Sequence, residues 1–220
     1  MAGLYIITGS NGAGKSSFGA SYLPEKLQGY TIFDGDKLFM QKRRQLYPAE
    51  TPSYKEAGRI ALEWLHENFE DCVAAAIKNN DHFIYEGHLP EDGNWITPQR
   101  FKAAGYDIHF IFFGLNSIAL SAERVFERAV MGGHNVPPYE IERNFLGNLY
   151  QLNKRYTTLD SLQIIDTSES INPKLLAVFL NGKPDYSVYE EQLPDWFKLK
   201  LPALYKKIAD ADAENSVNTL

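Results

Sequence analysis

One octapeptide restricts this chain more than any other feature. Gly9-Ser10-Asn11-Gly12-Ala13-Gly14-Lys15-Ser16 fits the pattern G-x-x-x-x-G-K-[ST] without a deviation. With Gly at about 7% of residues, a chance match arises about once in a hundred chains of this size. The setting agrees with the motif. Leu4-Tyr5-Ile6-Ile7-Thr8 reads as a buried strand, and a helix is expected from Lys15 to about Leu23, where Pro24 stops it. Glycines let successive backbone N–H groups turn inward on phosphate oxygens. The Lys15 ammonium reaches the β- and γ-phosphates, and the Ser16 hydroxyl is a Mg²⁺ ligand. A helix starting at Lys15 aims its positive dipole end at the same anion. Residues Gly9, Ser10, Asn11, Gly12, Ala13, Gly14, Lys15, Ser16 and Ser17 are therefore expected to hold ATP or GTP with Mg²⁺.

The rest of the chain alternates strand-like and helical stretches, which implies βαβ units and a mostly parallel sheet. Thr31-Ile32-Phe33 is a second strand, closed by a polar turn, Asp34-Gly35-Asp36. Ser53-Tyr54-Lys55-Glu56 has capping-box spacing and opens a long helix with an apolar stripe from Ala57 to Ile77. Further strands are expected at His82 to Tyr85, Ile108 to Phe113 and Leu162 to Ile165, with helices through Ile118–Ala129 and from Pro138 onward. Asn181-Gly182, between two apolar runs, is a hairpin signal. An amphipathic run from Trp196 to Ile208 reads as a docking helix. Residues 1–170 are read as the nucleotide-binding domain and 171–220 as an appendage packed on it.

Charge and composition narrow the partners. The chain has 220 residues, 22 Lys+Arg and 28 Asp+Glu, so its net charge is −6. That argues against a duplex-binding module, which must replace counterions on phosphates. The single cysteine, Cys72, forms no internal disulfide, and no leader or membrane span is read in the sequence. A cytoplasmic protein with no nucleic-acid or membrane partner is expected.

A phosphate loop leaves open what happens to the phosphate. Asn153-Lys154 lacks the Asp of a base-reading N-K-x-D, and the strand of four apolar residues ending in Asp or Asp-Glu that motor ATPases carry is missing, the strands ending in Phe33-Asp34, Tyr85-Glu86 and Phe113-Gly114. Small-molecule kinases lack both. Such an enzyme needs a carboxylate for the acceptor hydroxyl, cations over the γ-phosphoryl and a lid. Candidates stand after the strands: Asp34, Asp36 and Glu86. Arg124 and Arg128, at i and i+4, lead into Gly132-Gly133-His134-Asn135-Val136-Pro137. Each has a plainer reading. Asp34-Gly35-Asp36 also suits a simple turn, Glu86 a cap, Arg124 a solvated pair with Glu123 or Glu127, and His88 and His134 surface loops.

These segments together resemble the zeta-toxin family of kinases. The loop, Asp34-Gly35-Asp36, Tyr85-Glu86-Gly87, the paired arginines before Gly132-Gly133-His134-Asn135-Val136-Pro137, and Ile141-Glu142-Arg143-Asn144-Phe145 carry the likeness in order. The resemblance implies an adenylate-kinase-like fold with a five-stranded parallel core. It also implies transfer of the γ-phosphoryl of ATP to a sugar hydroxyl of a UDP-amino sugar, typically UDP-N-acetylglucosamine, and a possible antitoxin partner. It makes Asp36 the general base and sets Lys15 with Arg124 and Arg128 on the γ-phosphoryl. Asp34, Glu86, His88 and His134 fall on the substrate side, with either Arg128 or His134 completing the lid. Two other readings keep the loop: a kinase of the same fold acting on another sugar, nucleotide or antibiotic hydroxyl, and an ATP-binding regulator with weak hydrolysis.

Overall fold

The computed structural model describes residues 2–131, 133, 136–169 and 172–217. Strand β1 (Gly3–Gly9) is buried along its whole length and runs parallel to β3 (Phe83–Glu86) on one side and β4 (Asp107–Gly114) on the other. With β2 (Phe33–Asp34) and β5 (Ser161–Asp166) these make five parallel strands, and β6 (Lys174–Leu180) and β7 (Lys183–Ser187) continue the same sheet antiparallel. The order is β2-β3-β1-β4-β5-β6-β7. Strands β1 and β4 carry apolar residues on both faces, as a strand covered by helices on each side must. Because β1 has neighbours that follow it by different crossovers, its carboxyl end opens on a crevice where the chain leaves in both directions.

Most helices start where the sequence signals lie. In α3 (Tyr54–Asn79) the Ser53 hydroxyl accepts the Glu56 N–H at 3.2 Å, and Asn80 closes the helix with a left-handed φ of 53°. Helix α5 (Ile118–Val130) is capped by Ser117, and α6 (Pro138–Arg155) begins on Pro138. The turn at Asn181-Gly182 has positive φ at both residues, 50° and 73°, the geometry that matches strand twist in a tight hairpin.

Three expectations change, and one helix was not expected. Helix α1 (Lys15–Phe18) lasts one turn and tightens into a 3₁₀ segment, Gly19–Tyr22, where Gly19 weakens the helix and the Ser21 hydroxyl donates to Phe18 O at 2.7 Å. Strand β2 comprises only Phe33–Asp34 and runs straight into α2 (Gly35–Leu46), so Asp34-Gly35-Asp36 is a helix start and not a turn. The Asp34 carboxylate caps it, accepting the Lys37 N–H at 3.0 Å. A short helix, α4 (Ile96–Ala103), buries Pro98 and Phe101 between β3 and β4 in a stretch too brief to show a helical period. The final helix divides at Pro202 into α7 (Asp195–Lys200) and α8 (Pro202–Val217), because proline lacks the N–H that would continue it. Among the described residues, no helix is long and apolar enough to cross a membrane.

Candidate active site

The octapeptide wraps the carboxyl end of β1. Gly9 has φ +134°, and a Cβ there would stand 2.1 Å from the Phe113 carbonyl oxygen, so β4 can approach only a glycine. The loop ends on Lys15, which is 7% exposed. Its Nζ curls back to donate to Ser10 O at 2.9 Å and Gly9 O at 3.4 Å. Burial pushes the ammonium pKa down, Glu86 and Asp36 oppose that, and Arg128 adds to it. The Ser16 hydroxyl donates to Glu86 Oε1 at 2.9 Å. Parallel register sets Glu86 opposite Ile7, which is why a residue 70 positions away reaches the loop.

Two cavities open from this point. The larger, about 420 Å³, is walled by Phe33, Asp34, Asp36, Leu65, His66 and Phe69 together with Tyr85 to His88. The smaller, about 250 Å³, follows Gly12 to Ser17 and is closed by Arg124 and Arg128. Both include Lys15 and Glu86 in their lining, so the cavities meet there. Burial raises the pKa of the Glu86 carboxyl, while Lys15 and the Ser16 hydrogen bond pull it down and Asp34 and Asp36 push it up.

The expected residues divide along this boundary. Asp34 and Asp36 both line the larger cavity, but Asp34 is engaged as the α2 cap, whereas Asp36 sits in the first turn of that helix. Arg128 lines the smaller cavity. Arg124 lines it too, with its guanidinium on backbone carbonyls: Nη1 to Thr167 O at 2.8 Å and Gly12 O at 3.4 Å, and Nη2 to Ser168 O at 3.0 Å. It thus ties the phosphate loop to the exit of β5. His134 lies outside the described residues. The basic run Lys42-Arg43-Arg44 contributes to neither cavity; Lys42 lies over Trp64, and Arg43 over Phe39 and Tyr54.

Several site residues were not read from the sequence. Leu65, His66 and Phe69 belong to a helix whose pattern says only that one side is apolar. Thr167, whose hydroxyl donates to Ala13 O at 2.9 Å, carries no local signal either. Asn144 and Asn148, both buried on α6, did leave one: two amides at i and i+4 interrupt the apolar stripe of Ile141, Phe145, Leu149 and Leu152.

A phosphate loop at the middle of five parallel strands, with an arginine-bearing helix facing it, defines a P-loop protein of the kinase type. The sequence pattern of the family described as zeta toxin matches residues 3–173, and the chain belongs to that family. No protein of curated function matches it in sequence. Among solved structures, a complex of AvrRxo1-ORF1 with AvrRxo1-ORF2 is similar with a TM-score of 0.67 at 16% identity, over 93% of this chain and 65% of that one. A structure of the same pair with ATP gives 0.63 at 15% identity, over 94% and 76%. The PezAT toxin–antitoxin system of Streptococcus pneumoniae gives 0.55 at 16% identity, over 96% and 87%. At these identities the likeness concerns the fold alone.

Proposed function

We propose that the chain transfers the γ-phosphoryl group of ATP to a hydroxyl of a UDP-amino sugar, with UDP-N-acetylglucosamine the first acceptor to try. The observation that carries this reading is the junction of two cavities at Lys15 and Glu86, with phosphate-loop backbone in one and Asp36 in the other. ATP takes the smaller cavity, its γ-phosphoryl at the junction, and the acceptor takes the larger.

The acceptor oxygen then attacks phosphorus as the bond to the β-phosphate oxygen breaks, and the hydroxyl proton passes to Asp36. The transfer is mostly positioning and charge neutralisation, so Asp36 need accept that proton only late. Lys15 and Arg128 stand over the charge that develops on the phosphoryl oxygens. Asp34 keeps α2, and hence Asp36, in position through its capping bond. Ser16 and Glu86 offer hard oxygen donors of the kind Mg²⁺ prefers. Mg²⁺, when bound there, supplies charge neutralisation on the β- and γ-phosphates. Family membership supports a protein partner that blocks this site, an antitoxin.

Incubation with ATP, Mg²⁺ and UDP-N-acetylglucosamine should give a product heavier by one phosphoryl group in mass spectrometry. Asp36→Asn should lower kcat by about 10² or more, the usual worth of a general base, with ATP affinity unchanged. Undiminished turnover in that variant would remove Asp36 from the base role. Phosphorylation of other hydroxyl acceptors alone would overturn the sugar-nucleotide assignment, and hydrolysis that no acceptor stimulates would overturn transfer.

A further inference from the structure

His88 forms part of the acceptor-cavity wall, yet both its ring nitrogens lie against amides of the protein. Nδ1 is 3.2 Å from Nδ2 of Asn148, and Nε2 is 3.4 Å from the side-chain amide of Asn11 in the phosphate loop. Asn148, on α6, is 4% exposed, and its orientation is fixed from both ends. The Leu89 peptide N–H can only donate, and reaches Oδ1 at 2.7 Å. The Gly9 carbonyl can only accept, and takes Nδ2 at 3.1 Å. The remaining N–H of that amide falls on His88 Nδ1, which receives it with a lone pair.

A neutral imidazole has one ring proton, so it sits on Nε2 and faces Asn11. Asn144, also on α6, donates from Nδ2 to Asn11 Oδ1 at 3.0 Å, which sets Asn11 Nδ2 against His88 Nε2. Two amides pair in either orientation, so a half-turn of both keeps their bond and sets the Asn11 oxygen against the Nε2 proton. The Asn11 backbone carbonyl meanwhile accepts the Ser121 hydroxyl at 2.6 Å. Burial and the Lys15 charge disfavour a second proton on the ring and outweigh the Gly9 backbone carbonyl, which favours one.

We infer that His88 is a positioning residue of the phosphate loop rather than a ligand of the acceptor. Asn148, His88, Asn11 and Asn144 form a bridge from α6 across the exit of β3 to the loop, and it holds the Gly9 carbonyl and Asn11 in the shape that receives phosphate. The inference deepens the proposed function and rests on its ATP-binding half alone.

The test is MgATP binding to the full chain by calorimetry with no acceptor present. His88→Phe keeps an aromatic ring, somewhat larger than imidazole, and removes both nitrogens. Its affinity should fall about tenfold, the worth of one or two such bonds. An affinity within twofold of the parent, with a raised acceptor KM, would make His88 a substrate ligand and overturn the inference. Failure of the sugar-nucleotide assignment would leave this binding result untouched. Should the variant not fold, ¹⁵N NMR of the unaltered protein decides: at pH 7 the His88 ring should be neutral, protonated at Nε2, with a hydrogen-bonded lone pair on Nδ1. A ring protonated at Nδ1, or charged, would overturn it.

Discussion

Trp196 offers the sharpest test of how the C-terminal segment serves the site. It lies on α7, beyond the residues matched by the family pattern, and is 4% exposed. Its ring covers Gly114 so closely that a Cβ there would stand 2.2 Å from it. Its indole N–H donates to Asp166 Oδ1 at 3.2 Å, the same oxygen that accepts the Ser168 N–H at 3.1 Å and hydroxyl at 2.6 Å. The carbonyls of Thr167 and Ser168 in turn hold Arg124, which reaches Gly12. Trp196→Ala removes the ring from a packed site, which costs about 3–5 kcal/mol. For a chain of this size each kcal/mol lowers Tm by about 2–4 °C, so a fall of about 6–20 °C is expected. Trp196→Phe keeps an aromatic ring but loses the outer indole atoms that cover Gly114 and one hydrogen bond, so it should cost more than that bond's worth of about 1 kcal/mol and less than the alanine change. Circular-dichroism melts, with urea midpoints at unchanged m-value, measure both. An alanine variant within about 2 °C of the parent, or a phenylalanine variant as unstable as the alanine one, would refute the brace.

Two further outcomes follow from the site. Burial raises the Glu86 pKa, and a raised folded-state pKa contributes stability that is present below the unfolded value and lost as pH rises through the folded one. Glu86→Gln should therefore gain Tm relative to the parent from acidic to neutral pH while losing transfer activity; a difference that stays flat with pH would refute the burial argument. Lys15→Ala should abolish MgATP binding in calorimetry and relieve any growth arrest caused by expressing the parent chain. Arrest that persists in a binding-dead variant would separate toxicity from phosphoryl transfer.

Features confined to a few consecutive residues were legible in the sequence. The phosphate loop is one, since its glycines, lysine and serine lie within eight positions. The Ser53 cap and the Asn181-Gly182 hairpin are others, because each depends on backbone groups two or three residues away. Asp34-Gly35-Asp36 reads as a turn for the same reason. Its composition suits a turn, and only the two-residue strand before it and the packing of α2 on α3 make it a helix start. That difference matters chemically, because it gives one carboxylate to the cap and leaves the other in the cavity wall.

The sequence by itself determined that a triphosphate loop caps a buried strand, that the sheet is mostly parallel, and which acidic and basic residues stand near strand ends. Local periodicity and backbone chemistry carry that information. The tertiary structure decided which of those residues meet. Parallel register delivers Glu86 to Ser16, Leu65, His66 and Phe69 of α3 become a cavity wall, and α6 brings Asn144 and Asn148 to the back of the loop. Arg124 shows the same division. The resemblance sets it on the γ-phosphoryl, and the structure adds that its guanidinium ties two backbone segments that lie far apart in the chain. Such meetings depend on long-range packing and on burial, which shifts the pKa values of Lys15, Glu86 and His88, and neither is written in any short stretch of sequence.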